Sequence, residues 1–118
     1  MVTTDDILAS RAARRLRGYR RAIEKALPGR VERMLLIGSR ARGDAHPASD
    51  YDIVVFVKGM IESERQGIRQ LLAEASLPHV AAGYDIIGMA LPTDCLGAPA
   101  DRQPSFVQNV LRDGVPVA

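Results

Sequence analysis

Residues 34–57, MLLIGSRARGDAHPASDYDIVVFV, hold two apolar strands joined by a glycine-serine turn, and the remainder of the chain can be placed around them. Met34-Leu35-Leu36-Ile37 closes a first strand that begins near Arg30. Gly38 to Gly43 reads as a turn and helix start, Asp44 to Ala48 as a loop marked by His46-Pro47, and Asp50 to Val57 as a second strand. The unbroken run Ile53-Val54-Val55-Phe56-Val57 predicts burial on both faces, hence a central strand with helices packed outside it. Side chains at i and i+2 of a strand leave the same face, so Asp50 and Asp52 stand side by side, ~7 Å apart along the backbone. Two such carboxylates repel, and aligning them at the mouth of an apolar strand is costly unless cations lie between them. The hard cations that choose oxygen ligands of this kind are Mg²⁺ and Mn²⁺.

The turn before the acids supplies a phosphate cradle. A sharp bend at Gly38-Ser39 opens a short helix whose first N–H groups have no intrahelical acceptor, with the Ser39 hydroxyl, Arg40 and Arg42 close by. A carboxylate pair beside such a cradle is the arrangement expected for a metal-bound nucleoside triphosphate. The competing reading, a Walker phosphate loop, fails because Asp44 stands where that loop requires lysine.

Gly38-Ser39, ten residues, then Asp50-x-Asp52 resembles the signature of the DNA polymerase beta type nucleotidyltransferase superfamily. GSRARG followed by SDYDIVVFV is similar to its minimal nucleotidyltransferase branch, as is the ending FVQNVLRDGVPV. The resemblance implies an α/β fold with a small mixed sheet flanked by helices. It also implies two Mg²⁺ ions, with Mn²⁺ as a substitute, and ATP as substrate. In that picture Asp50 and Asp52 bridge both ions, and Asp85 binds the ion nearest the acceptor and helps take up its proton. Gly38, Ser39 and Arg42 hold the triphosphate. Ser49, beside the acids, is either a further nucleotide contact or a turn hydroxyl, and Arg40 either a phosphate ligand or a structural side chain. The implied reaction moves AMP from ATP to a hydroxyl and releases pyrophosphate. The implied acceptor is a partner protein with an HEPN domain, making this chain the antitoxin of a toxin–antitoxin pair.

The flanking segments follow from periodicity and breakers. Leu8, Ala12, Leu16, Tyr19, Ile23 and Leu27 recur at three- and four-residue steps, predicting one helix from about Thr4 to Leu27, capped by Thr3 or Thr4 and stopped by Pro28-Gly29. Ile61, Ile68, Leu71, Leu72 and Ala75 predict a second helix ending near Ser76-Leu77-Pro78. His79 to Met89 is expected as a third strand carrying Asp85, which, paired beside the second strand, would complete a three-carboxylate cluster; the rival for Asp85 is a buried pair with an arginine. Leu91 to Gln103 reads as a loop. Phe106, Val107, Val110 and Leu111 predict a closing helix with Gly114 as its left-handed cap, and Val115-Pro116-Val117 an edge strand.

Composition bounds the answer. A chain of 118 residues predicts one domain over 1–118, with room for one modest core and none for a second substrate-binding domain, so a bulky acceptor must be completed by another protein. This disfavours a nucleotidyltransferase acting on small antibiotics. Cys95 is the single cysteine, which excludes an internal disulfide and a thiolate zinc cluster and fits a reducing cytoplasm. The first residues carry no signal-peptide pattern, and no apolar run is long enough to span a membrane. Neither His46 and His79 nor Cys95 has the spacing of a metal pair or a nucleophile. The net charge of +2 conceals an asymmetry: eleven of the sixteen basic residues precede Gly43, with only four of the fourteen acids. That half faces phosphate or an acidic partner.

Two further readings stay open at this point. One is a non-catalytic binding module that neutralises a partner by docking, its nucleotide site vestigial. The other is RNA binding by the basic first helix, which the absence of Trp and the scarcity of other aromatic residues disfavour. Homo-oligomerisation is left undecided.

Overall fold

The computed structural model describes residues 1–118, except for the side chain of Ala100. Its centre is a four-stranded mixed sheet in the order β3-β2-β1-β4. Strands β1 (Val31–Ile37) and β2 (Tyr51–Val57) run antiparallel, with Ile37 opposite Asp52 and Leu35 opposite Val54. Strand β3 (Ile86–Pro92) lies parallel to β2, Tyr51 opposite Ile86 and Asp52 opposite Ile87. The two-residue β4 (Val115–Pro116) closes the other edge against β1. Its proline occupies an edge, where a missing N–H leaves no inner ladder bond unmade.

Both faces of β2 are covered, as its uninterrupted apolar run requires. On one face α2 (Ser10–Ala26) and α4 (Arg65–Ala81) bury Leu16, Tyr19, Ile23, Ile68 and Leu72 against Met34, Leu36, Tyr51, Ile53 and Val55. On the other, Leu35, Val54 and Phe56 pack with Val110 of α6 (Ser105–Asp113) and with Cys95 and Leu96 of α5 (Asp94–Gly97). Alternation along β2 therefore sends Tyr51 into the helical layer while Asp52, in step with Val54 and Phe56, emerges on the α6 side. A four-residue helix, α3 (Ser39–Arg42), occupies the β1–β2 connection and ends at Gly43, whose φ of +82° is the left-handed conformation of a helix stop.

Several expected boundaries are corrected. The first helical stripe is broken: α1 (Thr4–Ile7) and α2 are separated by extended residues Leu8 and Ala9, and only α2 keeps the predicted apolar face, with Ala12, Leu16, Tyr19 and Ile23 buried while Ile7 of α1 is exposed. Thr3 caps α1, its N–H donating to the Asp6 carboxylate at 2.7 Å. Ile61 lies outside the second long helix, exposed before a 3₁₀ turn at Glu62–Glu64. Helix α4 does not stop at Pro78 but runs through it to Ala81, so His79 is helical and β3 begins seven residues later than expected, at Ile86. Pro78 and Leu77 face solvent, where water can take up the carbonyl the proline leaves without a donor. The expected loop Leu91–Gln103 contains the end of β3, α5 and a 3₁₀ turn at Ala100–Arg102. Gly114 is extended (φ −67°, ψ 143°) and not left-handed. Its missing Cβ instead admits Leu35 and the Val110 carbonyl. Among the described residues no helix is long and apolar enough to cross a membrane.

Candidate active site

The β1–β2 pairing places Gly38 against Asp52. Gly38 has φ +77° and ψ −158°, and a Cβ built there would lie 2.9 Å from Asp52 Oδ2. Only glycine combines that backbone conformation with that approach. Asp52 is partly buried, and its carboxyl is held above the ordinary aspartate range, chiefly by burial and further by the charge of Asp50. The Asp50 charge thus opposes ionisation of Asp52 at the start of β2.

Helix α3 starts directly after Gly38, beside this contact. In α3 the N–H groups of Ala41 and Arg42 both donate to the Gly38 carbonyl at 3.1 Å, and those of Gly43 and Asp44 to the Ser39 carbonyl. The N–H groups of Ser39 and Arg40 are left without an intrahelical acceptor. Arg42 is exposed and pairs loosely with Asp44 at 3.3 Å, so its guanidinium is held by little at the mouth of the corner.

Arg40 is built into the scaffold. Its guanidinium donates to the Ser49 carbonyl from Nε at 3.2 Å and Nη2 at 2.9 Å, reaches the Pro47 carbonyl at 3.3 Å, and lies 4.3 Å above the Tyr51 ring. It ties the loop that delivers Asp50 to the strand that carries Asp52. The Ser49 hydroxyl accepts the His46 N–H at 3.0 Å, the turn role open to it from sequence.

Asp85 is exposed and sits one residue before β3. Tyr51, between the two acids, donates its N–H to the Asp85 carbonyl at 2.8 Å. The parallel register puts Asp85 alongside Asp50 at the same end of the sheet. Among the described residues it makes no ion pair with an arginine, and it is exposed, so the buried-pair alternative is not what the fold builds. Among the described residues no three acidic, histidine or cysteine side chains are gathered so as to hold a metal ion by themselves. The donor set is an open carboxylate pair, which suits Mg²⁺: that ion keeps several waters and takes one or two carboxylates together with substrate phosphates. The strain between Asp50 and Asp52 is of the kind a cation removes. Asp50 and Asp52 are the residues that would hold it.

Sequence reasoning missed the contribution of α6. Phe106, Asn109 and Val110 stand across a cavity of about 240 Å³ from Gly38, Ala41 and Arg42. The strongly two-sided pattern of α6 was visible, but not which face of the sheet it would cover. The Arg42 charge also reaches this helix, where it adds to Arg112 in holding the Asp113 carboxyl below its usual range.

Residues 16–87, from the middle of α2 through the start of β3, match the family model described as "Nucleotidyltransferase domain". The chain belongs to the nucleotidyltransferase domain family. A Methanocaldococcus jannaschii relative named "Putative protein adenylyltransferase" is 33% identical over 73 residues, 61% of this chain and 69% of that one. The fold of this nucleotidyltransferase is also that of a "putative nucleotidyltransferase" crystal structure from Sulfolobus solfataricus. That structure has a TM-score of 0.57 and 22% identity, and the match covers 90% of this chain and 78% of the other. A weaker likeness, TM-score 0.49 at 20% identity, is to a toxin-antitoxin structure with AMP-PNP, covering 85% of this chain and 70% of that one. As a nucleotidyltransferase the chain is an enzyme, and the matched span contains the turn and all three acids.

Proposed function

We propose that this nucleotidyltransferase transfers AMP from ATP to a hydroxyl of a partner protein, with Asp50, Asp52 and Asp85 as its catalytic acids. The observation that carries this reading is the apposition of Gly38 and Asp52, which sets the glycine-serine turn directly against a carboxylate whose ionisation burial and Asp50 oppose. Asp50 and Asp52 hold Mg²⁺ in this account. The bound cation supplies charge neutralisation for the triphosphate and lowers the proton affinity of the attacking hydroxyl. The Ser39 and Arg40 N–H groups, the Ser39 hydroxyl and Arg42 hold the β- and γ-phosphates, so that pyrophosphate departs toward α3. Asp85, exposed just before β3, accepts the proton of the incoming hydroxyl in this account. The cavity facing α6 receives the nucleoside.

The resemblance of GSRARG and SDYDIVVFV to the minimal branch, together with the name of the archaeal relative, supports a protein acceptor. We assign that role to an HEPN-domain toxin whose silencing makes this chain an antitoxin. Incubation with Mg²⁺, α-labelled ATP and the protein encoded next to it tests the proposal. Label passes to that protein, and Asp52→Ala abolishes transfer; equal labelling by the variant rejects the site.

A further inference from the structure

The arginines of α2 divide into two sets. Arg17 pairs with Asp5, and Arg20 with Glu24 at 2.7 Å. Arg11, Arg14 and Arg21 make no ion pair among the described residues, and Arg15 lies over the Tyr84 ring at 5.7 Å. These four line one cavity of about 590 Å³ between α2 and the end of α4, with His79 and Tyr84 and no carboxylate. Gly18 falls on the same helical face between them, and a Cβ there would already touch His79 Cε1 at 3.4 Å. The missing side chain lets His79 of α4 approach α2 beside the cavity. Burial, and after it the Arg15 charge, depresses the proton affinity of His79, which favours its neutral form beside the four arginines.

This cavity is separate from the acid pair. None of Gly38, Ser39, Asp50, Asp52 or Asp85 lines it, and it opens on the helical layer that receives Tyr51, not on the α6 side where Asp52 emerges. A second hollow of about 520 Å³ shares Arg11, Ala82 and Tyr84 with it and continues toward Arg40, Pro47 and Tyr51.

We propose that the arginine-lined cavity between α2 and the end of α4 is a second anion site that takes a compact polyphosphate. Guanidinium groups recognise phosphate through paired donors, and four of them converging without a counter-ion within a space of ligand size match a short, densely charged chain. An extended acidic peptide spreads its carboxylates along a backbone and leaves most of such a cluster unmatched. Single-stranded RNA requires stacking platforms, and of the two rings here His79 is buried and Tyr84 is partly covered by Arg15.

Calorimetric titration with inorganic tripolyphosphate tests the site, run with a chelator so that the acid pair holds no cation through which phosphate could bind. The full chain shows saturable binding. Arg14→Ala/Arg21→Ala, which removes two exposed side chains that support nothing in the fold, weakens it about 100-fold, at roughly tenfold for each lost charge-assisted contact. Lys25→Ala/Arg33→Ala removes the same charge outside the cavity and leaves affinity unchanged. Absence of saturable binding, or equal weakening by both double variants, overturns the proposal. So does tighter binding of a short single-stranded RNA or an oligoglutamate than of tripolyphosphate.

Discussion

Gly38 and Asp52 approach so closely that a side chain at residue 38 would stand 2.9 Å from the Asp52 carboxylate oxygen. The two residues come from different strands, and the register that sets Ile37 opposite Asp52 brings them together. Turn geometry and the reach of the acid are therefore a single constraint.

Replacing Gly38 by alanine separates two effects. The backbone at φ +77° and ψ −158° lies in a region reached almost by glycine alone and costs about 1–3 kcal/mol for any other residue, and the added methyl pushes Asp52 aside. Gly43→Ala, at φ +82° with no atom near its would-be Cβ, carries the strain without the clash. Urea unfolding is expected to show a loss for both variants, the larger for Gly38→Ala, which bears the clash as well. AMP transfer falls about 100-fold or more for Gly38→Ala only, since displacing a reacting group by about 1 Å has that consequence.

Arg40 acts through the loop it holds. Arg40→Lys forfeits the fork to the Ser49 and Pro47 carbonyls and most of the contact with Tyr51, a loss of about 1–2 kcal/mol. Residues 46–50 then exchange their amide hydrogens faster, and kcat falls with KM for ATP little changed. A rise in KM at constant kcat would instead mark Arg40 as a phosphate ligand.

Acid sensitivity is predicted at the far end of β1. Arg30 grips Glu64 through two bonds of 2.9 Å, and these bring the Glu64 carboxyl from 4.5 down to about 2, with help from the Ile61 N–H. A depressed carboxyl contributes stability above its unfolded value and loses it as pH falls toward its folded value. The stability gap between the native chain and Glu64→Gln is therefore full above pH 4.5 and closes as pH drops toward about 2. Urea midpoints across that range measure it. The pair is solvent-exposed enough that added salt should narrow the gap.

The acid spacing and the apolar run after it were legible because both are local: alternation alone put Asp50 and Asp52 on one face and buried Val54 and Phe56 behind them. The edge position of Val115-Pro116 followed equally from proline's missing donor. The apposition of Gly38 with Asp52 was not legible, since it depends on how residues 44–48 let the hairpin close. Arg40 was undecidable for the same reason: its acceptors are carbonyls of that loop.

Helix α4 misled at Pro78, where a breaker on the solvent side is tolerated because water replaces the lost donor. Reading His79 as strand then moved Asp85 into a buried segment, whereas it stands exposed just before β3. The α2 cavity left a trace in the sequence, arginines at helical spacing around Gly18; the i,i+4 pair of Arg20 with Glu24 was local, but the pairing of Arg17 depended on how the segment bearing Asp5 folds against α2.

Cation-dependent nucleotide binding to the native chain and to Asp52→Asn tests the central claim most directly. Asparagine keeps the shape of the side chain and removes the charge that Asp50 opposes, so the variant should fold at least as well. Calorimetry with a non-hydrolysable ATP analogue should show tight binding by the native chain only when Mg²⁺ is present, weakened about 100-fold or more in Asp52→Asn. Binding that is equal in the two proteins, or indifferent to Mg²⁺, would contradict the assignment of the acid pair as the metal and nucleotide site.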